Sequence, residues 1–201
     1  MEALLGASLR SKARGSVATT SALAGARFVL VYCSASWCPP CRSFTPVLAD
    51  FFTAHAARRR AAFVLLSCDR DDASFQAYWK KMPWELGLSP EDSAGQALMA
   101  KFGIKGIPAL LVFSSSGALV TASGVEGLSR DPTGSQFPWV GPGGTDIGRR
   151  VTLRGLAARP ELNGQTGLVE KVVAPSGRLQ VAIAGEVVAV KRDNVEFLDA
   201  E

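Results

Sequence analysis

Trp37-Cys38-Pro39-Pro40-Cys41 is where residue type and spacing point to chemistry. The thiolate, not the thiol, attacks in disulfide exchange. At the start of a helix, free backbone N–H groups and the dipole favour that charged form. If a buried strand feeds the segment into a helix, Cys38 lies at the helix start and Cys41 one turn later. Cys38 then attacks a substrate disulfide, Cys41 attacks the mixed disulfide, and substrate leaves reduced while the pair becomes oxidised. Pro39 and Pro40 stiffen the loop, and Trp37 shields the pair and lines the substrate groove. Zinc is the competing reading, but a zinc site normally takes four ligands. The chain has four Cys and one His and no second pair, so no metal is expected. The other reading, two incidental core cysteines, fits poorly with so specific a pentapeptide at a strand–helix junction.

The flanking elements supply that junction. Residues 28–33, Phe-Val-Leu-Val-Tyr-Cys, form a continuous apolar run of the kind found in strands buried on both faces. Residues 39–57 place Phe44, Val47, Leu48, Phe51 and Phe52 on one helical face. Pro39 and Pro40 suit the first turn of that helix, and Pro46 interrupts it. A second buried strand is expected over 61–67, helices over 71–81 and 91–102, and a hairpin from 107–113 and 118–122. Residues 16–19 add an edge strand. This order is an α/β layer architecture, with the strand ends near Cys33 and Ser67 on the same edge as the 34–41 loop. Gly106-Ile107-Pro108 puts a proline at the start of a buried strand, where it needs a special turn. A cis Ile107–Pro108 bond facing the cysteines is expected, with the Ile107 backbone free to pair with an extended substrate. Trp37, Pro39, Pro40, Ile107 and Pro108 are therefore the expected substrate-binding residues.

Composition narrows the function classes. The 201 residues are 47% hydrophobic and 20% charged, which argues against wholesale disorder. The net charge of +4 is spread along the chain, with 14 basic against 11 acidic residues in 1–147 and 8 against 7 in 148–201. Nucleic acid is a poor expectation for so diffuse a charge. Arg58-Arg59-Arg60 reads as a solvated last helical turn. No apolar stretch has the length of a membrane span, and no secretory signal pattern is visible. Residues 10–27 are basic and hydroxyl-rich as transit peptides are, yet read as folded structure. All four cysteines lie in the first 68 residues, which suggests a reducing compartment rather than a disulfide framework.

Residues 141–148 read as a glycine-rich linker. Beyond it, short alternating stretches at 151–153, 167–169, 179–183 and 187–190 are separated by turn signals at Asn163-Gly164, Pro175-Ser176-Gly177 and Ala184-Gly185. They predict a small antiparallel barrel.

Residues 34–46 (Ser-Ala-Ser-Trp-Cys-Pro-Pro-Cys-Arg-Ser-Phe-Thr-Pro), 67–71 (Ser-Cys-Asp-Arg-Asp), 81–84 (Lys-Met-Pro-Trp) and 106–108 together resemble the thioredoxin superfamily, in its nucleoredoxin and tryparedoxin branch. Leu4-Leu5-Gly6 and Phe137-Pro138-Trp139 also fit that branch. The resemblance implies a thioredoxin fold, a central mixed sheet flanked by helices, over residues 1–140. It implies Cys38 as nucleophile, Cys41 as resolving thiol and a redox-active disulfide between them. It implies protein disulfide substrates such as peroxiredoxins, no cofactor, and a cytosolic or nuclear setting. The electron donor stays open among thioredoxin reductase, glutathione and another small dithiol. Tyr32 stands where typical thioredoxins carry a buried Asp that assists proton transfer; the tryparedoxin branch also has Tyr there. Asp69 is a candidate replacement as proton relay, against a solvated strand-end carboxylate. Tryparedoxins usually have Trp where this chain has Cys68. Residues 149–201 resemble small SH3-like barrels, through residues 153–156, 162–167 and Asn194. The alternative function is a redox-controlled protein-binding adaptor with slow or no turnover.

Overall fold

The computed structural model describes residues 1–139, 146, 149–173 and 178–198. The first elements are α1 (Glu2–Leu5), β1 (Ser8–Ser11), β2 (Gly15–Ala18), α2 (Thr19–Ala22) and β3 (Phe28–Ser34). Next come α3 (Pro39–Arg59), β4 (Ala61–Ser67), α4 (Asp72–Trp79), β5 (Leu86–Leu88) and α5 (Ser93–Lys101). The layer closes with β6 (Ala109–Ser114), β7 (Leu119–Thr121) and α6 (Gly124–Arg130). Seven strands form one mixed sheet in the order β2-β1-β5-β4-β3-β6-β7. The pairs β3–β4 and β4–β5 are parallel and the rest antiparallel.

Both faces of this sheet are covered, which explains the unbroken apolar runs of β3 and β4. Alternate residues of a strand point to opposite faces. Phe28, Leu30 and Tyr32 join one core with Phe44, Leu48 and Phe51 of α3 and Phe75, Tyr78 and Trp79 of α4. Val29, Val31 and Cys33 join the other with Leu4 and Leu5 of α1 and Leu98 of α5. Burying each such large side chain contributes about 1.5–3 kcal/mol. In the β3–β4 register Ser34 lies opposite Ser67, so both strands end together at the edge where α3 begins.

Several local expectations need correction. The helices expected over 71–81 and 91–102 are shorter. Asp71 caps α4, accepting the Ser74 amide at 2.7 Å, and tight turns from Lys81 to Tyr78 and Met82 to Trp79 close it. The arginine triplet is not simply solvated. Arg59 donates to the Gly134 carbonyl and lies 5.1 Å over the Phe137 ring, while Arg60 takes a left-handed φ of 51° and donates to the Gly25 carbonyl at 2.8 Å. Beyond α6, the buried Asp131 carboxylate accepts from Thr133, Ser135, Gln136 and the Trp139 indole, fixing the chain's return over α3.

The linker expected at 141–148 lies outside the described residues except for Asp146, and so does the turn at 175–177. Past it are β8 (Arg150–Leu153), β9 (Thr166–Val173), β10 (Arg178–Ile183), β11 (Glu186–Val190) and β12 (Val195–Phe197). They form a second, wholly antiparallel sheet in the order β11-β10-β9-β8-β12, around a core that includes Val151, Leu153, Val169, Val181 and Ile183. A small all-β region thus follows the α/β layer.

Candidate redox site

β3 ends at Ser34, and four residues later the chain enters α3 with Cys38 as its N-cap. Pro39 and Pro40 take the first helical positions, where a missing N–H breaks no intrahelical bond. Cys38 and Cys41 are joined by a disulfide, with Cα atoms 5.3 Å apart. The Cys38 sulfur also accepts the Cys41 amide at 3.2 Å. That N–H and the helix start behind it would hold a thiolate at Cys38. Cys41 is fully buried, whereas Cys38 keeps 3% exposure. Among the described residues no group of three or more His, Cys, Asp or Glu stands together as a metal site.

The Ile107–Pro108 peptide is cis, and the Ile107 carbonyl lies 3.7 Å from the Cys38 sulfur. Ala35, Cys38 and Cys41 form a small apolar cluster against which Ile107 and Cys68 pack. Trp37 is 52% exposed, and its indole N–H donates to the Cys68 carbonyl at 3.1 Å. The indole is thereby pinned against the residue that follows β4, with much of its ring in solvent.

Asp69 is not a solvated strand-end carboxylate. It is 6% exposed. One oxygen accepts the Ser36 amide at 2.8 Å and the Ser36 hydroxyl at 2.7 Å, and the other accepts the Ser67 hydroxyl at 3.0 Å. Asp69 thus braces the loop that carries Trp37 and Cys38 against the end of β4.

A second polar group lies beneath Cys41, built on Tyr32, whose hydroxyl partners the sequence did not show. The Tyr32 hydroxyl donates to the Cys41 carbonyl at 3.1 Å and stands 3.0 Å from the Thr45 hydroxyl. Thr45 donates to the same carbonyl at 2.8 Å and stands 2.6 Å from the Tyr78 hydroxyl, which continues to Ser34 at 3.1 Å. Four hydroxyls thus run from the end of β3 to the first turn of α3. Burial pushes the Tyr32 phenol well up, so it stays a neutral donor. The sequence signals were Tyr32 itself and Thr45 four residues after Cys41, on the same helical face.

The remaining thiols are both free. Burial, with Cys68 nearby, pushes the Cys33 thiol far up and leaves it inert. Burial and then the Asp69 carboxylate push Cys68 up to about 11.

A family model described as "Thioredoxin-like" matches residues 25–119, the span from just before β3 to β7. The tryparedoxin of Trypanosoma brucei brucei is 39% identical over 112 residues, covering 55% of this chain and 78% of that protein. This chain belongs to the thioredoxin-like family. Among solved structures, a tryparedoxin from Trypanosoma brucei superimposes with a TM-score of 0.62 at 39% identity, covering 69% of this chain and 95% of that one. The nucleoredoxin of Danio rerio is 37% identical over 122 residues, which span 60% of this chain but only 29% of that protein. A tryparedoxin II solved in complex with glutathionylspermidine is 38% identical, with a TM-score of 0.61 and coverage of 66% of this chain and 92% of that one. Family membership gives the Cys38–Cys41 pair a thioredoxin-like redox setting. Among the described residues no helix is long and apolar enough to cross a membrane.

Proposed function

We propose that this protein is a thiol–disulfide oxidoreductase that reduces protein disulfides. Cys38 is the nucleophile and Cys41 resolves the mixed disulfide. The observation that carries this reading is the Cys38–Cys41 disulfide at the start of α3, with the Cys41 amide on the Cys38 sulfur. Trp37, Pro39, Pro40, Ile107 and Pro108 surround that sulfur in sequence or space and form the substrate-facing surface. Asp69 positions the active loop, and both its oxygens are taken by serine groups. We therefore prefer this role to that of a proton relay.

Oxidised peroxiredoxins are candidate clients. A small thiol is a candidate electron donor, consistent with the tryparedoxin II solved with glutathionylspermidine. The reading divides the chain into a catalytic domain at 1–140, a linker at 141–148 and an SH3-like barrel at 149–201, acting in the cytoplasm or nucleus. The second sheet is the one observation that favours the adaptor alternative, because it adds surface beyond what the dithiol cycle uses.

Dithiol-driven reduction of insulin tests the main reading. The wild-type chain should accelerate it, and Cys38→Ser should return the rate to the uncatalysed background. Equal rates for the two proteins would refute the assignment. Partner capture that survives loss of both cysteines but not removal of residues 149–201 would favour the adaptor.

A further inference from the structure

Cys68 is a sulfur beside the disulfide that the cycle above leaves idle. Its amide donates to the Ser34 carbonyl at 2.8 Å, which extends the β3–β4 pairing and sets Cys68 next to the active loop. Its carbonyl holds the Trp37 indole, so the loop carrying Cys38 is tied to this residue. Its half-buried side chain packs on the cluster that contains Cys38 and Cys41. Its sulfur meets the Met99 thioether at 3.7 Å, a group that does not exchange with disulfides. Three sulfurs of exchangeable type are thus gathered at one strand edge, and one of them has no part in the two-thiol cycle.

We propose that Cys68 is a second resolving thiol, able to discharge substrate from Cys38 by forming a Cys38–Cys68 disulfide. The inference rests on the dithiol reading above. In the step, the Cys68 sulfur attacks the Cys38 sulfur of the mixed disulfide. The bond from Cys38 to substrate breaks, the Cys38–Cys68 bond forms, and the proton from Cys68 ends on the departing substrate thiol. One disulfide replaces another, so no outside oxidant enters. Little thiolate exists at neutral pH in a site where burial and Asp69 oppose it, so the route is slow. Cys33, fully buried within β3, is not a competitor for this role.

The test uses the full chain carrying Cys41→Ser. Cys38 is loaded with 5-thio-2-nitrobenzoate from one equivalent of Ellman's reagent, and release of the chromophore is followed. First-order release, independent of protein concentration and at least tenfold faster than in the Cys41→Ser/Cys68→Ser double variant, is the expected result. Peptide mass spectrometry of the single variant without reductant should then find Cys38 linked to Cys68, a readout that does not depend on the double variant folding. Label held at Cys38 with no such linkage would overturn this inference alone. Failure of Cys38 to take the label would overturn the dithiol reading as well.

Discussion

Asp69 shows how much one buried carboxylate can organise. Its oxygens serve the Ser36 amide and hydroxyl and the Ser67 hydroxyl, and hydrogen bonds to charged groups are worth about 1.5–3 kcal/mol each. Asp69→Ala leaves these donors without their acceptor. It should lower the unfolding free energy by about 2 kcal/mol in urea titration. It should also slow insulin reduction, because the loop bearing Cys38 loses its brace. Tyr32→Phe makes a smaller change. It removes one of two hydroxyls on the Cys41 carbonyl, and a cost of about 1 kcal/mol is expected in the same titration.

At the scale of elements, the close approach of α6 to β6 depends on Gly124. A Cβ there would lie 2.6 Å from the Leu110 carbonyl oxygen and 2.8 Å from Leu110 Cγ. Gly124→Ala must push the helix away and should cost about 1–3 kcal/mol, visible as a lower midpoint of unfolding. None of this was legible in the sequence, where residues 124–130 carry no helical stripe long enough to read. The central strands were legible because both their faces are buried, so β3 and β4 appear as apolar runs. The first turn of α3 was legible because prolines and cysteines announce it. By contrast, β1 is Ser-Leu-Arg-Ser and β5 is Leu-Gly-Leu. Segments of three or four residues show no period, and they are strands only because distant partners pair with them. The burial of Asp69 was hidden for the same reason: Ser36, which holds it, lies thirty-three residues earlier.

At the scale of the whole molecule, Asp131 links stability to pH. Burial pushes its carboxyl up, but donors from Gln136, Ser135 and Thr133 outweigh that and bring it below the usual value. A depressed folded-state pKa contributes stability that is present above the unfolded value, near 3.8, and lost as pH falls through the folded one. Asp131's share of the stability should therefore be lost below about pH 4. Asp131→Asn should be less stable at pH 7 and show a shallower fall in acid, as urea midpoints at pH 7, 4 and 3 would report. The loop concerned packs the Phe137 and Trp139 rings on Phe51, so its loss would loosen the aromatic core under α3.

The placement of Trp37 gives the molecule a built-in optical gauge. Of its four indoles, those at 79, 84 and 139 are buried, and only the one at 37, next in sequence to Cys38, stands in water. Disulfides quench excited indoles at short range. Reducing the pair should brighten the red-shifted part of the emission, the fraction that acrylamide reaches, while the blue-shifted part stays constant. The fluorescence of the unlabelled chain would then follow each turnover in real time.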